Sequence, residues 1–140
     1  MPNTDPSTHA AIDAVLDAFH AAAARADAPA LFACFAHDGV FLGTDATERW
    51  PGQVFRDYVN ARFSGGVGWT MTPVRRDVTA LRSDVACFDE DLAHARMGPL
   101  RGSGVLARGT DGVWRIEQYN LAITIANERF EAFRSIVICG

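Results

Sequence analysis

The sequence predicts an α+β domain in which helices gathered in the first half pack on one face of a curved antiparallel sheet built from the second half. Two observations carry this. Apolar residues recur at three- and four-residue steps up to about Phe63, and in longer strand-like runs beyond it. Those runs are separated by short turn-forming segments, Arg82-Ser83-Asp84, Met97-Gly98-Pro99 and Thr110-Asp111-Gly112. Short connections favour consecutive hairpins over the crossover helices of a parallel sheet.

Residues 1–6 read as a polar lead-in, and Ser7 or Thr8 is the expected cap of a helix starting near His9. Ile12, Val15, Leu16 and Phe19 form its buried face, and Ala21 to Ala24 extend it to Arg25-Ala26-Asp27. Asp27 caps a second, shorter helix with Pro29 in its first turn and Leu31, Phe32 and Phe35 as its apolar residues, ending near Ala36. His37-Asp38-Gly39 reads as a turn, Val40-Phe41-Leu42 as a short strand, and Gly43 to Glu48 as a loop. Pro51-Gly52 opens a third helix carrying Val54, Phe55, Tyr58, Val59 and Phe63, which Ser64-Gly65-Gly66 ends. Residues 67–79, 84–95, 100–108 and 113–123 read as four strands, with Gly102 and Gly104 as bend or bulge sites. Asn127 caps a final helix containing Phe130, Phe133 and Ile136 or Val137.

The 140 residues suit one domain spanning 1–140, and 49% hydrophobic residues supply one core. A net charge of −4 with scattered arginines excludes a basic footprint, so neither nucleic acid nor an anionic membrane is an expected partner. No apolar run approaches membrane-spanning length, and the polar start lacks a signal-like core. Cys34, Cys87 and Cys139 lie among apolar neighbours without metal-ligand spacing, and read as buried small hydrophobes in a reduced, cytoplasmic protein. His9, His20, His37 and His94 show no HxxxH or HExxH spacing. No phosphate loop, dinucleotide fingerprint or nucleophile elbow occurs. The expected metal and cofactor content is therefore none.

Several segments carry a family resemblance: Ala33-Cys34-Phe35-Ala36-His37-Asp38-Gly39-Val40-Phe41-Leu42-Gly43-Thr44-Asp45, Glu48-Arg49-Trp50, Val85 to Glu90, Arg101 to Leu106, and Trp114 to Leu121. In these and in its element order the chain resembles the NTF2-like superfamily, and more closely its SnoaL-like branch, over about residues 8–128. The resemblance implies a cone, or cystatin-like roll, enclosing a pocket between helices and sheet. It does not imply one activity, because the fold hosts isomerases, dehydratases, cyclases, hydrolases and binding proteins. Ketosteroid isomerases pair a catalytic Asp with a Tyr and a protonated Asp. In the resemblance these positions fall near Gly43, Phe19 and Gly104, so that catalytic set does not carry over.

The catalytic candidates are Asp45, His20 and Glu90. Asp45 sits with Glu48, Arg49 and Trp50 in the loop that borders the pocket in this fold, and serves either as a general base or as a turn cap. Glu90 takes the strand face shared with Phe88, Leu92 and His94, while Asp89 and Asp91 take the other. His94 is too far along the strand to touch Glu90, so a cross-strand partner such as Arg101 is expected, or else plain solvation. His20 follows Phe19 on the first helix and serves either in acid/base work or as an exposed helix residue. The expected pocket lining is Phe19, His20, Phe41, Trp50, Trp69, Trp114, Gln118 and Asn120. Period-two alternation puts Gln118 and Asn120 with Trp114 and Ile116, and Glu117, Tyr119, Leu121 and Ile123 on the opposite face. An apolar outer face predicts a homodimer through the open sheet.

Three functions follow as expectations: binding of a small apolar or mixed-polarity molecule; proton-transfer catalysis of the isomerase, dehydratase or cyclase kind on a small or polyketide-like substrate; or association without chemistry.

Overall fold

Asp5 begins the first helix, in place of Ser7 or Thr8. The computed structural model describes residues 5–139, and of Cys139 the backbone alone; residues 1–4 of the expected lead-in and the Cys139 side chain lie outside the described residues. Helix α1 spans Pro6–Ala24, with Asp5 accepting from the Ser7 amide and Pro6 in the first turn. Proline's fixed φ suits that position, which moves the start ahead of the serine and threonine. Asp27 caps α2, Ala28–Ala33, through the Ala30 amide at 3.1 Å.

Strand β1 covers Phe35–Leu42, β2 covers Arg49–Pro51, and α3 covers Gly52–Ser64. The long strands are β3, Thr72–Arg82, β4, Val85–His94, β5, Gly98–Arg108, and β6, Trp114–Ile123. A 3-10 turn, Asn127–Arg129, leads into α4, Phe130–Cys139. The sheet order is β2-β1-β6-β5-β4-β3. All pairings are antiparallel except β1 with β6, because α3 and the hairpins separate those two in the chain. No helix among the described residues is long and apolar enough to cross a membrane.

Three sequence expectations change. His37-Asp38-Gly39 does not end a helix region but bulges within β1: Phe35 pairs with Ile116 and Val40 with Gln118, so four β1 residues face one on β6. The third strand starts at Thr72 rather than Val67, since Trp69 N–H bonds to Ala23 O at the end of α1 instead of to the sheet. Most important, β6 is bulged. Leu106 pairs with Ile116 and Val105 with Gln118, leaving Glu117 unopposed. The extra residue inverts the alternation, so Trp114 and Ile116 are buried before it and Tyr119 and Leu121 after it, while Gln118 is exposed.

The core joins Ile12, Leu16, Phe19, Ala22 and Ala23 of α1 and Phe55, Val59 and Phe63 of α3 to Phe88, Leu92, Leu100, Leu106, Ile116, Tyr119 and Leu121 of the sheet. Each of the larger buried apolar side chains contributes about 1.5–3 kcal/mol through removal from water. On the outer sheet face Arg75 bonds Asp77, Asp89 and Asp91. Tyr119 and Leu121, two of the apolar groups expected on that face, are turned inward. Exposed apolar side chains occur on the strands, at Val74, Leu81 and Ile123, and on α4, where Phe130, Phe133, Ile136, Val137 and Ile138 are 42–73% exposed. Cys34 is buried and Cys87 partly buried, both as free thiols.

Candidate functional site

The cavity lies between α3, the loop between β1 and β2, and the ends of β4 and β6. Its volume is about 400 Å³, and its walls include Phe41, Trp50, Tyr58, Trp69, Met71, Met97 and Leu121. The aromatic wall is continuous: Trp50 stacks on Tyr58 with ring centroids 3.8 Å apart, and Phe41 lies 5.9 Å from Trp50. Polar groups join this wall at Thr44, Glu48, Arg62, His94 and Arg96.

Each polar group is positioned locally. Tyr58 and Arg62 are four residues apart on α3, hence on one helical face. Arg62 Nη1 donates to Tyr58 Oη at 3.4 Å, Nη2 donates to Gly68 O at 3.1 Å, and the guanidinium lies 5.4 Å from the Trp69 ring centre. Gly68 can lie against α1 because it lacks a side chain: a Cβ there would sit 2.0 Å from Ala23 O. Glu48 folds back under Gly43, where an added Cβ would meet its Oε1 at 2.4 Å, and that oxygen accepts from the Asp45 amide. His94 Nδ1 accepts from the Arg96 and Met97 amides at 3.1 and 3.0 Å. In the neutral imidazole this places the proton on Nε2, which is thereby a donor. Two wall donors, Arg62 Nε–H and Trp69 Nε1–H, are buried without an acceptor among the described residues. Each such group costs about 1–3 kcal/mol while unsatisfied.

Beneath this cavity is a second polar cluster sealed in the core. Glu90 is 0% exposed and His20 5%. His20 Nε2 lies 2.8 Å from Glu90 Oε2, Tyr119 Oη donates to the same oxygen at 2.7 Å, and Arg76 Nε donates to Oε1 at 2.8 Å. Arg76 also bonds Asp13 and Asp17 on α1. Burial pushes the Glu90 carboxyl up, but bonds from His20 and Tyr119 and the Arg76 charge outweigh it, and the pKa lies below the usual value. Burial, reinforced by Glu90, raises the Tyr119 phenol well above its ordinary range. His20 Nδ1 and Arg76 Nη2 are buried without partners among the described residues.

The sequence candidates therefore separate. Phe41, Trp50 and Trp69 line the cavity. Phe19, His20 and Trp114 are core residues outside its lining, and the β6 bulge turns Gln118 and Asn120 to the other sheet face. His20 and Glu90 are brought together, against the expectation of an exposed His20, of a solvated Glu90 and of an Arg101 partner. Arg101 lies opposite Asp91, on the outer face, whereas Arg76 lies opposite Glu90. Asp45 is exposed, its side chain accepting from the Thr47 amide and hydroxyl, bonds that hold its pKa below the usual value. That is a turn cap, not a desolvated base. Sequence reasoning missed Arg76 and Tyr119. A usable signal was the adjacent pair Arg75-Arg76: neighbours on a strand take opposite faces, so one of them must turn inward and needs a buried acid.

Among the described residues no group of His, Cys, Asp and Glu is placed to hold a metal ion. The SnoaL-like domain profile matches residues 12–126. None of the curated proteins matches the sequence. Among solved structures, the chain is similar to a Nostoc punctiforme domain of unknown function with a cystatin-like fold (TM-score 0.78, 18% identity, covering 94% of this chain and 86% of that one). It is similar to an NTF2-like protein of unknown function from Pseudomonas putida (TM-score 0.72, 15% identity, 90% and 93% covered). A ketosteroid isomerase-like protein from Erwinia carotovora atroseptica aligns with TM-score 0.67 and 20% identity, covering 87% of this chain and 100% of that one. At these identities the likeness establishes the fold and leaves the activity open.

Proposed function

Because the chain belongs to the SnoaL-like domain family, with the NTF2-like fold, we propose that it binds a small molecule of mixed polarity in the cavity beside Trp50 and Trp69. The observation that carries this reading is the 400 Å³ cavity itself, which combines an aromatic wall with a few polar groups. Binding is favoured over proton-transfer catalysis because His20 and Glu90, the best acid/base pair, are sealed in the core, where Tyr119 and Arg76 also bond Glu90. The free thiols Cys34 and Cys87 fit a reducing, cytoplasmic setting.

The test is a thermal-shift screen with small aromatic and alicyclic compounds, charged and neutral. A ligand that raises the melting temperature through linkage should lose its effect in Met97→Trp, which fills the cavity from its rim. A hit whose shift survives Met97→Trp binds elsewhere, and a screen without any hit counts against the reading.

A second reading concerns self-association. The run of exposed apolar residues on α4 favours pairing with another copy through that helix. Light scattering on the full chain and on Phe133→Lys/Ile136→Lys tests it: the reading requires a dimer that the double variant abolishes.

A further inference from the structure

We propose that the cavity selects an anionic ligand, a planar aromatic or conjugated carboxylate whose charged end meets Arg62 and Arg96. This rests on the small-molecule reading above and specifies the class of ligand.

The polar lining is unbalanced. It holds two guanidinium groups, Arg62 and Arg96, against one carboxylate, Glu48. Arg75, Arg76 and Arg115 each pair with carboxylates. Arg62 does not: its described acceptors are the Tyr58 hydroxyl and the Gly68 carbonyl, both neutral, and its Nε–H has none. Glu48 accepts from the Asp45 amide and makes no ion pair among the described residues. A half-buried guanidinium bonded only to neutral groups is set to accept a carboxylate, whose two oxygens match its forked donors.

The remaining polar groups agree in sign. His94 offers Nε2–H, because the Arg96 and Met97 amides occupy Nδ1. The charged lining thus sets two guanidinium groups, with the His94 N–H beside them, against one carboxylate, a balance that favours an acceptor-bearing ligand end. Phe41, Trp50 and Tyr58 supply flat faces for the ligand's body.

Calorimetric titrations of the full chain with 2-naphthoate, 2-naphthamide and 2-naphthylmethylamine at neutral pH and low salt test the assignment. The three probes share a ring system and differ in charge. The carboxylate is expected to bind about tenfold more tightly than the amide, and the amine weakest. Added salt should weaken the carboxylate and leave the amide unchanged. In Arg62→Met the carboxylate should lose most of its advantage over the amide, with Arg96 keeping the remainder. Should Arg62→Met fail to fold, Arg96→Gln, at an exposed turn, should reduce the same preference. Equal affinity for carboxylate and amide, tighter binding of the amine, or a preference that survives both substitutions overturns the anionic assignment while leaving the binding reading in place. Failure of all three probes to bind removes both.

Discussion

Tyr119 donates to Glu90 across an intervening strand: the two residues lie on β6 and β4, with β5 between them, yet Oη and Oε2 are 2.7 Å apart. Gly102 on β5 makes the reach possible. A Cβ at that position would sit 2.1 Å from Tyr119 Oη and 3.1 Å from Glu90 Cγ. The glycine that the sequence suggested as a bend is a gap for a phenol.

Gly102→Ala should therefore destabilise the protein by about 1–3 kcal/mol, the usual cost of overfilling a packed interior. Tyr119→Phe, which removes one bond to a charged group without adding bulk, should cost about 1.5–3 kcal/mol. Urea denaturation of both variants checks this, and a neutral Gly102→Ala would mean that the phenol has room to move aside.

Glu90→Gln removes the charge that balances Arg76, itself 9% exposed. Stripping the partner from a buried ion costs about 3–5 kcal/mol when the survivor is left alone. Asp13 and Asp17 still hold Arg76 from α1, so the expected loss is smaller, about 2–3 kcal/mol. Removing both helical carboxylates as well should deepen it beyond additivity, which a thermodynamic cycle of the variants measures.

Stability should fall at both ends of the pH scale. Glu90 has a folded pKa below its ordinary 4.5, so its contribution is fully present above about pH 4.5 and is lost as pH falls through the folded value. Tyr119 has a folded pKa well above 10.0, so its contribution is fully present below about pH 10 and is lost as pH rises further. Denaturant midpoints across pH should show Glu90→Gln flattening the acid limb and Tyr119→Phe the alkaline limb.

Gly68→Ala sets a Cβ 2.0 Å from the Ala23 carbonyl, a backbone atom that cannot swing away. The segment carrying Trp69 and Met71 must then lift from α1, at a cost of about 1–3 kcal/mol. Because Trp69 forms a wall of the cavity, its fluorescence should change and ligand affinity should fall together. Unchanged emission and unchanged affinity would show that the wall tolerates the shift.

Local chemistry was legible in the sequence. Asp27 and Pro29 mark α2, Pro51-Gly52 marks α3, and the turn segments after Leu81, His94 and Arg108 mark the hairpins, because caps and turns depend on neighbours in the chain. Glu90 was also correctly set on the face of Phe88 and Leu92, since β4 is regular and alternation holds along it. Of the cavity, the aromatic wall of Phe41, Trp50 and Trp69 was readable, whereas Arg62, His94 and Arg96 were not.

Thus the sequence by itself determined the four helices, the four long strands, their order and the antiparallel hairpins, all of which follow from short-range periodicity and turn residues, but not the short β2. Tertiary structure alone decided the interior. One unopposed residue, Glu117, exchanges the faces of β6 and brings in Tyr119 and Leu121 where Gln118 and Asn120 were expected. The pairing of His20 with Glu90, seventy residues apart, depends on how α1 lies across the sheet. A bulge is a mismatch between two strands and a buried ion pair is a meeting of distant segments, so neither has a signature within the segment that bears it.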